Sequence, residues 1–262
     1  MPRSVAAVVV FLIGCAVGSF LNVVRYRLPR KGDLVRGRSA CPNCGHAIAW
    51  YDNVPILSFI ALRRRCRSCG WKIPWIYPII EAVTGVSFLA VWLQFPPRAT
   101  PAAFVLVGLL VACAGIDFDL RLIPDKLTLP GTAIGLILAA ALPAGDSVGR
   151  ALARSVLGIA VGGGTLLVVA LAYRYLRKIE GMGGGDIKLM AMVGAFLGWK
   201  LALVTIFLGA LVGGIVGLVI AARSARGMRT AVPFGVFLAP AAIAAMLWGN
   251  TLVDRYVGLV SR

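Results

Sequence analysis

Acidic side chains are scarce in this chain: ten occur among 262 residues, and all charged residues together make up 14%. So few charges, set against 60% hydrophobic residues, exclude an ordinary soluble globular domain and leave a membrane protein as the default. Each acid beside an apolar run therefore becomes informative. A basic stripe interleaved with aromatics is also missing, which excludes nucleic acid as the partner of the +17 net charge. The excess cations are read instead through loop charge bias and contact with anionic membrane lipids. No small-residue cleavage site follows the first apolar stretch, so residues 1–24 are expected to stay as a transmembrane helix rather than leave as a signal peptide. Internal repeats and low-complexity linkers are not evident.

What the chain does have is a series of apolar runs near the roughly 20 residues that a helix needs to cross a bilayer. The expected spans are residues 4–24, 79–95, 101–118, 127–143, 151–173, 187–199, 201–222 and 232–250, the sixth of them short. Glycines recur inside them, as in Gly162-Gly163-Gly164 and Gly213-Gly214, where small residues let membrane helices approach closely. Residues 25–78 hold eleven Lys and Arg, so this loop is expected on the cytosolic side. Alternation through the spans then puts Arg121, Lys126, the Arg174 to Lys178 cluster and Arg223, Arg226 and Arg229 on that side too. The fold class expected is an all-α polytopic membrane protein of about eight transmembrane helices with a small cytosolic zinc-binding loop domain.

Of six cysteines, Cys15 and Cys113 lie within apolar runs and are read as small buried hydrophobes. The others form two Cys-x-x-Cys pairs, Cys41 with Cys44 and Cys66 with Cys69, separated by 21 residues. Two thiolates from each pair complete a tetrahedral shell, the pattern of a structural zinc site with no open position for water. A loop on the reducing side of the membrane disfavours disulfides. Gly45 and Gly70 follow the pairs and suit turns with positive φ. His46 is read as a solvated or hydrogen-bonding neighbour rather than a fifth ligand candidate.

Asp117, Asp119 and Asp125 cluster where the third span ends, ahead of and behind Pro124, which forbids easy helix continuation. Asp186 ends the glycine-rich stretch Gly183-Gly184-Gly185 and begins the sixth span. Alternation places both clusters on one membrane face. An ionisable residue at membrane depth marks a functional site with a partner, and the natural partners are Asp117 and Asp186. Two carboxylates sharing one proton can activate a water: one takes its proton while the other polarises a carbonyl, and they titrate as a coupled unit. The alternative is that these acids cap helices and pair with Arg121, Lys126 and Lys188. Asp125 fits that alternative as a turn or N-cap residue, whereas composition leaves Asp117 and Asp186 open.

These motifs, in order along nearly the whole chain, resemble the bacterial type IV prepilin leader peptidases. Gly18 to Pro29 is similar to the family's first helix and its exit. Cys41 to Cys44, Trp50 to Pro55, Cys66 to Cys69 and Tyr77 to Glu81 are similar to its cytosolic zinc loop. Asp117 to Pro130 and Gly183 to Asp186 resemble the segments holding the two catalytic aspartates, and Pro233-Phe234-Gly235 the motif before the last helix. In the family the first aspartate lies seven residues before the proline, which carries the role onto Asp117 and leaves Asp119 as a supporting acid. Gly183, Gly185, Lys188, Glu81 and Glu180 are expected to contact substrate or orient the dyad.

The resemblance implies residues 1–24 as the first transmembrane helix, 25–78 as the zinc loop and 79–262 as the aspartic peptidase domain. It also implies an enzyme of the bacterial inner membrane with a cytosol-facing site, acting on prepilins and type II secretion pseudopilins. Removal of a basic leader before a Phe or similar residue is expected, then methylation of the new amine by S-adenosylmethionine. No soluble strand–turn–helix nucleotide motif marks a site for that donor. A proton- or ion-carrying transporter subunit and a zinc-bearing scaffold are the rival readings. The position of the acids at the ends of spans disfavours the first, and the Gly183 to Asp186 loop the second.

Overall fold

The computed structural model describes residues 3–34, 37–143, 147–178, 182–223 and 233–260, and Glu180 lies outside them, as do Arg226 and Arg229. The chain divides into two compact units, residues 1–96 and 97–262. Among the described residues there is no strand, only two isolated antiparallel bridges.

In the first unit the long helices are α1 (Arg3–Arg27) and α3 (Ile76–Gln94), with one turn of 3-10 helix (Trp50–Asn53) and the short α2 (Leu57–Ala61) between them. The long helices pack through small residues. A Cβ on Gly14 would lie 2.8 Å from Gly85 Cα, and one on Gly18 would lie 2.7 Å from Glu81 Cα. Gly14 and Gly18 are four residues apart on one face of α1, the spacing by which membrane helices bring backbones together. Cys15 is buried in that seam, as expected of a small hydrophobe.

The second unit is a bundle of α4 (Thr100–Leu120), α5 (Asp125–Ala141), α6 (Val148–Arg177), α7 (Gly184–Arg223) and α8 (Gly235–Val260). Helix α7 lies at its centre, packed on α5, α6 and α8. It spans 40 residues as two helical arms, since Gly198 between them is not helical (φ 77°, ψ 173°). The chain folds back there. A Cβ on Gly162 of α6 would meet both Met190 O at 2.5 Å and Ala202 Cβ at 3.3 Å. A straight helix would hold those two residues about 18 Å apart. The first arm, 184–197, runs against α6, and the second, 199–223, runs against α8, where Gly209 meets Leu238 and Gly249 meets Leu201. The spans expected at 187–199 and 201–222, the first of them short, are these arms.

Among the described residues six helices are long and apolar enough to cross a membrane, with α7 counted once and the 17-residue α5 falling short. The molecule is therefore an all-helical, multi-pass membrane protein. The second arm of α7 exposes Phe207, Leu211, Val212, Ile215, Leu218 and Val219, side chains suited to lipid. Four helices run past the expected spans, α1 to Arg27 and α4 to Leu120 by a few residues and two others by more. Helix α6 continues to Arg177, and α8 continues through Asp254 and Arg255, because polar side chains alone do not end a helix.

The closest backbone approach joins α6 and α7, where a Cβ on Gly194 would overlap the carbonyl of Gly158 and one on Gly158 would overlap that of Gly194. Gly194→Ala is expected to lower stability by about 1–3 kcal/mol through overpacking, read as a lower unfolding midpoint in detergent. Gly164→Ala, whose added methyl meets nothing, is the control and should not lower it.

Candidate active site and metal site

The ends of four helices converge at one end of the second unit. Helix α4 stops at Leu120, where Arg121 turns left-handed (φ 53°) and its N–H closes on Asp117 O at 2.8 Å. Pro124 then starts α5 in extended backbone, as its position in the sequence led one to expect. Asp117 is 4% exposed, whereas Asp119 is exposed. Two residues along a helix are about 200° of rotation, so the two acids point to different faces.

Asp117 meets the start of α8. The Val236 N–H donates to its Oδ2 at 3.2 Å, and the Gly235 N–H also bonds to this carboxylate. Both amides belong to the first turn of α8, where backbone donors have no helical partner and the helix dipole favours negative charge. A Cβ on Gly235 would lie 2.8 Å from that oxygen and 2.7 Å from Ile123 Cδ1. On the other side, a Cβ on Gly185 would lie 2.9 Å from Ile123 Cβ. Ile123 is thus wedged between the glycine before Asp186 and the glycine that touches Asp117.

Asp186 sits in the first turn of α7, buried at 8% exposure, with its N–H on Gly183 O at 3.2 Å. It lies close enough to Asp117 for their charges to interact. Gly183 and Gly185 allow the turn to lie against Ile123 and the carboxylate. Lys188 holds both oxygens of Asp125 at 2.7 Å. Asp125 is the first helical residue of α5, and its pair with Lys188, a partner that the structural alternative named, joins the starts of α5 and α7. Both side chains are exposed, so the pair braces the site and adds about 0–1 kcal/mol at most.

Glu81 belongs to the first unit, at 8% exposure on α3, and its Oε2 accepts the Ile56 N–H at 2.8 Å. Sequence reasoning passed over Ile123 and the backbone amides of α8. Only the Pro233-Phe234-Gly235 motif pointed near them.

The four cysteines form the second site. Their sulfurs all lie within 4.8 Å of one another, and none is in a disulfide. Cys41 and Cys69 Sγ are 3.9 Å apart. A tetrahedral ion with sulfur ligands at about 2.3 Å needs S···S edges of about 3.8 Å, so the set can hold such a metal. The two knuckles are copies. Cys41 N bonds His46 O and Gly45 N bonds Cys41 O, while Cys66 N bonds Trp71 O and Gly70 N bonds Cys66 O. Gly45 and Gly70 share φ 70°, and the bridges Ala40 to Ala47 and Arg65 to Lys72 complete a repeat offset by 25 residues. His46 is exposed and outside the cluster, as expected.

The Trp71 N–H, followed by the Asn43 amide, pulls the Cys69 thiol down to about 6, toward the thiolate a metal takes. The Arg67 guanidinium, donating to both Asp52 oxygens at 2.8 and 2.7 Å, holds that carboxyl below its usual range. A depressed folded pKa means this brace operates above the unfolded value and is lost as pH falls through the folded one.

Comparison with known proteins covers both sites. Residues 12–95 match the Bacterial Peptidase A24 N-terminal domain, and residues 104–218 match the Type IV leader peptidase family. The four cysteines fall in the first match, Asp117 and Asp186 in the second. A prepilin leader peptidase/N-methyltransferase of Myxococcus xanthus is 41% identical over 226 residues, 86% of this chain and 66% of its own length. One of Aeromonas salmonicida is 35% identical over 282 residues, 96% of this chain and 94% of that protein. One of Pseudomonas putida is 36% identical over 269 residues, covering 92% and 90%. No solved structure gives a significant match.

Proposed function

The chain belongs to the type IV leader peptidase family and is an aspartic-type peptidase, and from that premise we propose that it cuts the basic leader from prepilins and pseudopilins with Asp117 and Asp186. The observation that carries this reading is the buried Asp117 carboxylate, held on Val236 N–H within electrostatic reach of Asp186. One carboxylate takes a proton from water as the water oxygen adds to the scissile carbonyl carbon, the other gives its proton to the carbonyl oxygen, and the C–N bond then breaks as the first carboxyl returns its proton to the leaving amine. The substrate's apolar helix enters the bilayer, which brings the bond to the end of the bundle where the acids sit. Enrichment of Lys and Arg in the loops at that end supports a site on the cytosolic face of the bacterial inner membrane. Gly183, Gly185 and Lys188 support the pair by position, whereas Asp119 is exposed on another face of α4.

After cleavage, the same chain methylates the new N-terminal amine. S-adenosylmethionine supplies, when bound, a methyl made electrophilic by its positive sulfur. The amine nitrogen gives the electron pair for the new bond as the methyl–sulfur bond breaks, its pair staying on the departing thioether, and the methylated nitrogen afterwards releases a proton.

Detergent-purified protein is expected to release the leader from a peptide with a basic leader, a Gly-Phe junction and an apolar helix. Failure to cut it under conditions where the protein is folded overturns the proposal.

Zinc is the metal proposed for the four cysteines, in a structural role, since four sulfur ligands leave no position for water. Cys41→Ser with Cys44→Ser is expected to take zinc from one per chain to none by metal analysis, with leader cleavage by the second unit retained. Unchanged stoichiometry would rule the site out.

A further inference from the structure

A cavity of about 440 Å³ lies within the unit of residues 1–96, bounded by α1, the start of α3 and the knuckle segments. Its volume is within the range of about 300–1,000 Å³ that small-molecule sites occupy. Two polar side chains in its wall stand out.

Asn22 is 5% exposed and lines the cavity. Its Nδ2 donates to Tyr77 O at 3.1 Å, which fixes the orientation of the amide, and Oδ1 is left buried with no partner. A buried acceptor is costly when nothing donates to it, so such an atom in a cavity wall offers a place for a donor from whatever fills the cavity.

Glu81 lines the same space. Its carboxylate accepts from the Ile56 N–H and the Ser19 hydroxyl, and with about four acceptor positions it keeps capacity for a third donor. Ile56 is held at φ 61° and ψ −49°, a conformation that a β-branched residue adopts only under constraint. The Glu81 clamp on its N–H therefore fixes part of the wall. The rings of Tyr26, Tyr51, Trp71 and Tyr77 supply π-faces around these acceptors.

These acceptors and aromatic faces, with the Arg27 and Arg67 guanidinium groups also in the wall, suit a zwitterionic ligand that is positively charged in one part, rich in N–H donors and flat in another. S-adenosylmethionine has those properties in its sulfonium, its ammonium and its aminopurine. Resting on the methylating half of the proposed function, we infer that this cavity is the methyl-donor site, with Asn22 Oδ1 accepting from the donor and the Glu81 carboxylate facing its positive charge.

The test is equilibrium binding of radiolabelled S-adenosylmethionine to the purified full chain in detergent. Wild type is expected to bind one donor per chain. Glu81→Gln, which keeps an acceptor for Ile56 but loses the charge, and Asn22→Ala are each expected to weaken binding about tenfold or more. Gly164→Ala, whose added methyl meets nothing, is expected to bind within about twofold of wild type. Zinc content and unfolding temperature verify that each variant is folded, and if Asn22→Ala is not, Glu81→Gln carries the test.

Folded variants that bind as wild type does overturn the assignment. So does Glu81-dependent binding of a peptide with a free amino-terminal Phe in place of the donor. Leader cleavage is read on the same wild-type preparation: intact cleavage without donor binding overturns the cavity assignment alone, and absent cleavage overturns the proposed peptidase.

Discussion

Asp186→Asn and Asp117→Asn are each expected to slow leader cleavage by about 10²–10⁴-fold, the range over which a positioned acid or base contributes. The substitution is nearly isosteric, and an amide oxygen at position 117 still accepts the Val236 N–H that Asp117 accepts at 3.2 Å. Geometry is thus preserved while the exchangeable proton of the pair is lost. The double variant should be scarcely worse than either single one, because two groups that act as a unit are not additive. Asp119→Asn is the decisive companion: its exposed side chain on another face of α4 predicts an effect within a few fold. Cleaved product measured by mass against time, with unfolding temperature and zinc content as controls, checks all four. Full activity in Asp117→Asn alongside a dead Asp119→Asn would reverse the assignment.

That contrast shows where sequence reading stops. Asp186 was legible because its glycine stretch abuts an apolar run, a local pattern. Choosing Asp117 over Asp119 needed the family spacing, since both lie in the same helical turn and only tertiary packing buries one of them. The broken α7 was readable as two spans because polarity rises at Trp199-Lys200, next to the non-helical Gly198 where the two arms meet.

Lys188 was placed near the acids correctly in chain terms, but its choice of Asp125, 63 residues away, depends on how α5 packs against α7. Glu81 was expected to serve the dyad on the strength of a motif. In the folded chain its carboxylate holds a strained backbone amide in the first unit, a contact that no side-chain pattern encodes. The cysteine pairs announced themselves by spacing, whereas the wider repeat of the knuckles is carried by backbone hydrogen bonds between unlike residues such as His46 and Trp71.

Backbone amides are invisible to motif reading, and the strongest consequence of that concerns Gly235. A methyl added there would sit 2.7 Å from Ile123 Cδ1, 2.8 Å from Asp117 Oδ2 and 3.3 Å from Asp117 Cγ. Carbon approaches that close must be relieved by movement. The Ile123 terminal carbon can rotate, but its Cβ is backed by the Gly185 turn, so much of the adjustment falls on the Asp117 carboxylate and its bond from Val236. A displacement of about 1 Å at a reacting group costs on the order of 10²-fold in rate.

Gly235→Ala is therefore expected to lower kcat for leader cleavage by about 10–100-fold while moving the unfolding midpoint little, since helix propensity gained in the first turn of α8 offsets part of the crowding. Gly217→Ala in the second arm of α7, where an added methyl meets nothing, should cleave as wild type does. If Gly235→Ala also cleaves at the wild-type rate, the close approach of α8 to Asp117 does not position the acid, and the support for the dyad must come from the Asp186 side alone.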